Sequence, residues 1–248
     1  MENSIGYNAH MITSTILEAD LKAAASRSPQ DLAVLERFFK TKKGQYAAGD
    51  MFIGVTVPIN RQICKKYQDL SLAEIEKALE SPVHEVRLAA VIIMASQAKK
   101  GSEAHKKALF DLYLRRTDRI NNWDIVDSSC RNVVGDYLLH KPRNILYKLA
   151  RSDNLWEKRI AIVSTFAFIS NGEYEDTYKI AEILLNDKHD LIHKAVGWML
   201  RETEKKLGAD VLRTFLNKHA SLMPRTALRY AIEHFAPEER AKYLAKKG

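Results

Sequence analysis

From residue 12 onward, apolar side chains recur at roughly the three-to-four-residue spacing of a helix face. Ile16, Leu17, Leu21 and Ala24 make one stripe, and Leu32, Leu35, Phe38 and Phe39 make the next. The pattern lapses over residues 41–60, where Gly44, Gly49, Gly54 and Pro58 fall. This segment predicts a long loop or short-helix connector, packed against the body through Tyr46 and Phe52. Beyond Arg61 one helix follows another. Ser71 with Glu74 makes a capping box, and Ser81 opens the next helix with Pro82 at its first position. Asp153 and Asp187 stand where later N-caps are expected, and Pro142, Pro224 and Pro237 mark further starts. Residues 1–11 carry no useful periodicity and are expected to form a mobile tail, leaving 12–248 as one helical domain.

Three of the helices resemble one another: SPVHEVRLAAVIIMA (81–95), SDNLWEKRIAIVSTF (152–166) and NDKHDLIHKAVGWML (186–200). Each has a cap, a short polar turn, a basic residue (Arg87, Arg159 or Lys194) and then an Ala-containing apolar stretch. The spacing is about 35 residues once a unit containing Trp123 is placed between the first two. Two helices per unit at this period predict an all-α solenoid of the HEAT-like kind, an α-α superhelix, because the Trp/Leu/Gly/Tyr/Pro series of tetratricopeptide repeats is missing. In such a solenoid Arg87, Trp123, Arg159 and Lys194 would line up along a concave basic face.

Composition strengthens the helical reading. Ten glycines and six prolines in 248 residues leave little turn punctuation for a strand meander. Thirty-nine basic against thirty-one acidic side chains leave a net charge of +8. That excess favours a polyanionic partner, since each neutralised phosphate releases condensed counterions. The charge alone leaves DNA, RNA and an acidic membrane surface open. Cys64 and Cys130 form no CxxC pair, and no Cys/His cluster has metal-ligand spacing, so buried thiols and no metal are expected. His10, His84, His140 and His189 read as solvated or capping residues. No phosphate-binding glycine motif occurs, so no nucleotide cofactor is implied. No signal-like or membrane-spanning run is evident, so a soluble, cytoplasmic protein without membrane partners is expected.

The most unusual stretch is NNWDIVD (121–127). Trp123 and Asp127, four apart, share one face of a helix. Taken alone, the tryptophan reads as core and the aspartate as a cap. Trp198, among Ala195, Val196, Met199 and Leu200, also reads as core. Arg159 reads as a ladder arginine paired with Asp153 or Glu157.

The strings NNWDIVDSSCRNVVGDYLL (121–139), LWEKRIAIV (155–163) and KAVGWMLRE (194–202) together resemble the AlkD family of DNA alkylation-repair glycosylases. FIGVTVPINR (52–61) and MPRTALRYAIEHF (223–235) are similar to that family's connector and C-terminal helix. The resemblance implies a HEAT-like solenoid that hydrolyses the N-glycosidic bond of N3- and N7-alkylpurines in duplex DNA. It implies Trp123 and Trp198 as the site tryptophans, Asp127 as the carboxylate and Arg159 as an arginine that holds a phosphate. Lys194, Arg201, Arg225 and Arg229 fall in resembling segments and are expected to contact DNA phosphates. A monomer working without cofactor on double-stranded DNA is implied. Two other readings remain open: a non-catalytic binder of damaged or branched DNA on the same scaffold, and a protein–protein adaptor. Lys42-Lys43, Lys99-Lys100 and Lys205-Lys206 read as solvated faces or helix C-termini.

Overall fold

The structure, a computed structural model, describes residues 12–25 and 28–245; the expected N-terminal tail lies outside them. Apart from one isolated bridge between Met51 and Val83, the described residues form helices, turns and loops. The chain is all-α and built of helical repeats. It divides between Gln97 and Ala98 into two compact units.

The first unit holds α1 (Ser14–Ala23), α2 (Pro29–Phe39), α3 (Val57–Cys64), α4 (Leu72–Leu79) and most of α5 (His84–Lys100). Leu17 and Leu21 of α1 are fully buried, as their stripe predicts, whereas Ile16 is 45% exposed. In α2 only Phe39 of the stripe is buried, while Phe38 stands in solvent. Thr13 and Ser28 cap α1 and α2 through their side chains. Ser71 caps α4 as expected, but Glu74 does not reciprocate. Its carboxylate instead accepts from the amide (2.8 Å) and hydroxyl (2.7 Å) of Ser14, fixing the start of α1 on α4.

The connector before α3 does pack against its own unit. Phe52 stacks on Phe39 (4.7 Å) and on His84 (4.5 Å), and those two rings also meet at 5.0 Å. Gly49 and Gly54 turn it at φ of 93° and 83°, in the left-handed region that L side chains avoid. The buried Glu85 carboxylate accepts from the amides of Ile53, Gly54 and Val55. These contacts account for two corrections. Helix α5 begins at His84 rather than behind Pro82, because the Pro82 carbonyl accepts from Met51 and from Arg87. His84 is not a solvated or capping residue; it is 1% exposed and faces Asp50 at 3.4 Å.

The second unit continues with α6 (Glu103–Arg115), α7 (Trp123–Asp127), a π-helical turn (Arg131–Gly135), α8 (Asp136–Leu138) and α9 (Asn144–Ala150). Then come α10 (Leu155–Ser164), α11 (Phe166–Ile169), α12 (Glu175–Leu184), α13 (Asp190–Leu207), α14 (Ala209–His219), α15 (Arg225–Ala231) and α16 (Pro237–Ala245). Helices α7, α10, α13 and α15 lie side by side, while α9 backs α10, α12 backs α13 and α9 packs on α12. This is the paired-helix repeat that the 35-residue period predicts. Helix α10 is the middle of the row, so Ile160, Ala161, Ile162 and Val163 are all buried. Its cap is Asn154 and that of α13 is His189, one and two residues beyond the expected Asp153 and Asp187. Gly197 lets α13 and α15 approach closely: a Cβ there would lie 2.4 Å from the Ala227 carbonyl on α15.

Candidate active site

Helix α7 is short, and its sequence fixes which side chains turn inward. The Asn122 side chain accepts from the Trp123 amide (2.8 Å), and Asp124 accepts from the Ile125 amide (2.9 Å). Asp124, Ile125 and Val126 are buried, leaving Trp123 and Asp127 half-buried on one face. Beneath them Ser129 donates to the Ile125 carbonyl (2.7 Å) and meets the hydroxyl of the fully buried Tyr113 at 2.8 Å.

Asp127 is gripped by Arg159 of α10. Nε donates to Oδ1 at 2.8 Å and Nη2 to Oδ2 at 2.7 Å, a parallel two-bond pair. The third arm, Nη1, donates to the Leu191 carbonyl of α13 at 2.5 Å. The guanidinium is sealed, with its side chain 6% exposed, while the aspartate keeps 19% of its surface. Burial pushes the Asp127 carboxyl above its ordinary value, and the Arg159 charge and hydrogen bonds pull the other way.

A second row runs beside the first. Arg131 lies over the Phe166 ring at 4.4 Å, and Phe166 tilts against Trp198 at 6.2 Å. Trp198 is half-buried rather than core, and its indole N–H donates to Glu202 at 3.2 Å. Asp127, Arg159 and Leu191 thus form one row across three helices, and Arg131, Phe166 and Trp198 form the next. Trp123 stands about 6 Å before the first row along its helix, and Trp198 about 10 Å after Leu191. Along the helix axes Trp123 thus precedes, and Trp198 follows, the Asp127–Arg159–Leu191 row. The arrangement offers a fixed carboxylate one turn from an indole, suited to a cationic group and an oriented water.

The sequence profile of a family described as DNA alkylation repair enzyme matches residues 17–235. The chain belongs to the DNA alkylation repair enzyme family. A solved structure, "Predicted DNA alkylation repair enzyme from Enterococcus faecalis", is 17% identical with a TM-score of 0.66. The alignment covers 86% of this chain and 98% of that one, and shows a shared fold. Curated proteins gave no match.

Every expected site residue of this DNA alkylation repair enzyme family member lies within the matched span. The structure brings Asp127 and Arg159 together, sets Trp123 one turn from Asp127, and sets Trp198 in the neighbouring row. Arg159 pairs with Asp127, not with Asp153 or Glu157; Glu157 accepts from Thr117 instead. The four basic residues stand differently. Lys194 pairs with Asp190 (2.8 Å) and Arg201 with Glu233. Arg225 is exposed and donates to the Leu244 carbonyl (2.8 Å), and Arg229, one turn on, is exposed. Arg87 does not join a surface track: it is 1% exposed, paired with Asp50 (2.6 Å) and bonded to the Ser81 and Pro82 carbonyls. The sequence reading missed Arg131 and Phe166. The signal for Phe166 was the repeat itself, since it lies seven residues past Arg159, as Trp198 lies seven past Leu191.

Among the described residues no helix is long and apolar enough to cross a membrane.

Proposed function

We propose that this chain is a DNA glycosylase that hydrolyses the N-glycosidic bond of cationic N3- and N7-alkylpurines in duplex DNA. The observation that carries the reading is the Asp127 carboxylate, held in one plane by Arg159 and 19% exposed, one helical turn from the half-buried Trp123. Membership of a DNA alkylation repair family supports the class of substrate.

The chemistry asks little of the protein. Glycoside cleavage ordinarily employs a second carboxyl group to protonate the leaving group. An N3- or N7-alkylpurine is already positively charged. When its bond to C1′ breaks, the electron pair moves to the ring nitrogen and the base departs neutral. The deoxyribose is left oxocarbenium-like, and water adds at C1′ and releases a proton. Asp127 stabilises that sugar cation and orients the water, while the indole faces of Trp123 and Trp198 favour the positive charge. Arg159 acts as a positioning residue, since its three arms are engaged with Asp127 and Leu191. The reaction as written calls on no metal or nucleotide and needs one protomer. Lys194, Arg201, Arg225 and Arg229 supply phosphate contacts without sequence preference.

The test is base release from a duplex carrying N7-methylguanine, in buffer containing EDTA, for wild type and Asp127→Asn. Wild type is expected to release the base, and the variant to be slower by at least about a hundredfold while binding the duplex normally. Equal rates would remove Asp127 from the chemistry. No release by either protein would favour a binder of damaged or branched DNA.

A further inference from the structure

The arginine expected to hold a phosphate is not placed to do so. Each end of the Arg159 guanidinium is already bonded within the protein, and its side chain is sealed from solvent. Arg131 has the opposite character. Its guanidinium lies flat over Phe166 at 4.4 Å, and Nη2 donates to the Ser170 hydroxyl at 3.2 Å. That hydroxyl donates in turn to the Phe166 carbonyl at 2.8 Å, so the ring fixes the plane of the guanidinium and Ser170 fixes its rotation. Among the described residues no carboxylate pairs with Arg131, and its Nε is buried with no hydrogen-bond partner. A guanidinium is always charged, and this one, half-buried and without a carboxylate partner, keeps its charge available to an anion.

We infer that Arg131, oriented by Phe166 and Ser170, is the arginine that binds a DNA phosphodiester beside the Asp127 site. The inference deepens the proposed glycosylase reading and rests on it for what lies next to the phosphate. The bound phosphate sits against the Arg131–Phe166–Trp198 row, on the side of Asp127 away from Trp123. Two features suit an anion there. The donors are held in position before binding, which lowers the ordering entropy of the contact. The Phe166 face also shields one side of the guanidinium from water, strengthening a charge-assisted bond at its edge.

The experiment measures duplex affinity against NaCl between about 50 and 200 mM for wild type, Arg131→Gln, Arg131→Lys and Ser170→Ala. In Arg131→Gln the slope of log K against log[salt] should fall by about one, with on the order of tenfold weaker binding at the lower salt. Arg131→Lys should keep the slope but bind more weakly, because an ammonium makes only a point contact. Ser170→Ala leaves every charge in place and should weaken binding without changing the slope, which covers the case in which Arg131→Gln fails to fold. An unchanged slope in a folded Arg131→Gln protein overturns the inference, as does unaltered affinity in both Arg131→Lys and Ser170→Ala. These readouts do not depend on catalysis. A wild type that releases no base overturns the glycosylase reading alone, and the salt slopes still decide the phosphate contact.

Discussion

At Asp127 burial and pairing act in opposite directions, and their balance sets when the site works. Burial raises the carboxyl's pKa while Arg159 lowers it, and the net direction is upward. A raised native-state value means that the folded protein takes up this proton at a higher pH than the unfolded chain does. As pH rises through that value, holding the bare charge works against folding, and Arg159 limits the loss. In the proposed glycosylase reaction base release needs the ionised form, so its acid limb should lie above the ordinary carboxylate range of about 4. Single-turnover rates between about pH 4 and pH 8 measure it, and an acid limb at or below that range would contradict the assignment. Removing Arg159 strands a mostly buried charge. Arg159→Ala should lower stability at neutral pH by about 3–5 kcal/mol and move the acid limb further up. Thermal melts at neutral and acid pH check the first expectation, since the deficit should shrink once Asp127 is protonated. At this scale the sequence was half legible. The four-residue spacing placed Trp123 and Asp127 on one face, but nothing local shows that an arginine 32 residues away closes on the aspartate. Nor could local polarity separate a core tryptophan from the half-buried Trp198, because its neighbours on α13 are core.

Between elements, close approach carries the site. Gly197 lets α13 settle on α15 beside Trp198, and an added Cβ would lie 2.4 Å from backbone and 2.5 Å from Tyr230. Backbone cannot yield as a flexible side chain would. Gly197→Ala should therefore cost about 1–3 kcal/mol in denaturant unfolding and slow base release by displacing the tryptophan. Full activity together with lost stability would mean that the two helices part without moving Trp198. In the first unit, Lys77 and the two Ser14 donors pull the Glu74 carboxyl down to about 2. A lowered native value contributes stability above the unfolded value, and that contribution fades as pH falls toward the folded one. Glu74→Gln should then be destabilising by about 1 kcal/mol at neutral pH, a figure kept small because Lys77 is in solvent. The difference from wild type should close between the ordinary carboxylate pKa and about pH 2. The helix stripes and the repeat were readable because they are local periodicities. Helix starts were less so: the Ser81–Pro82 signal gave way to tertiary contacts from Met51 and Arg87. Arg87 shows what matching repeat positions do carry: like Arg159 it is buried, paired with an aspartate and bonded to backbone carbonyls, so the shared position marks a ladder arginine and not a surface track.

Over the whole chain, the net charge of +8 is unevenly shared. Residues 1–97 carry equal numbers of acidic and basic side chains, so the entire excess belongs to residues 98–248, which also hold Asp127, Arg159 and both site tryptophans. A polyanion is drawn by net local charge and held by the cations that touch its phosphates. If duplex binding centres on the second unit, exposed lysines elsewhere should matter little. Lys42 and Lys43 sit exposed in the connector of the first unit, and Arg225 and Arg229 stand exposed one turn apart on α15. Each pair removes the same charge when replaced by glutamine. Replacing the lysines should leave the salt slope of duplex binding unchanged, whereas replacing the arginines should lower it by about two. Equal losses from both pairs would mean that the protein is drawn to DNA by its total charge. A loss confined to the lysines would move the DNA path to the first unit and take the phosphate contacts assigned to α15 with it.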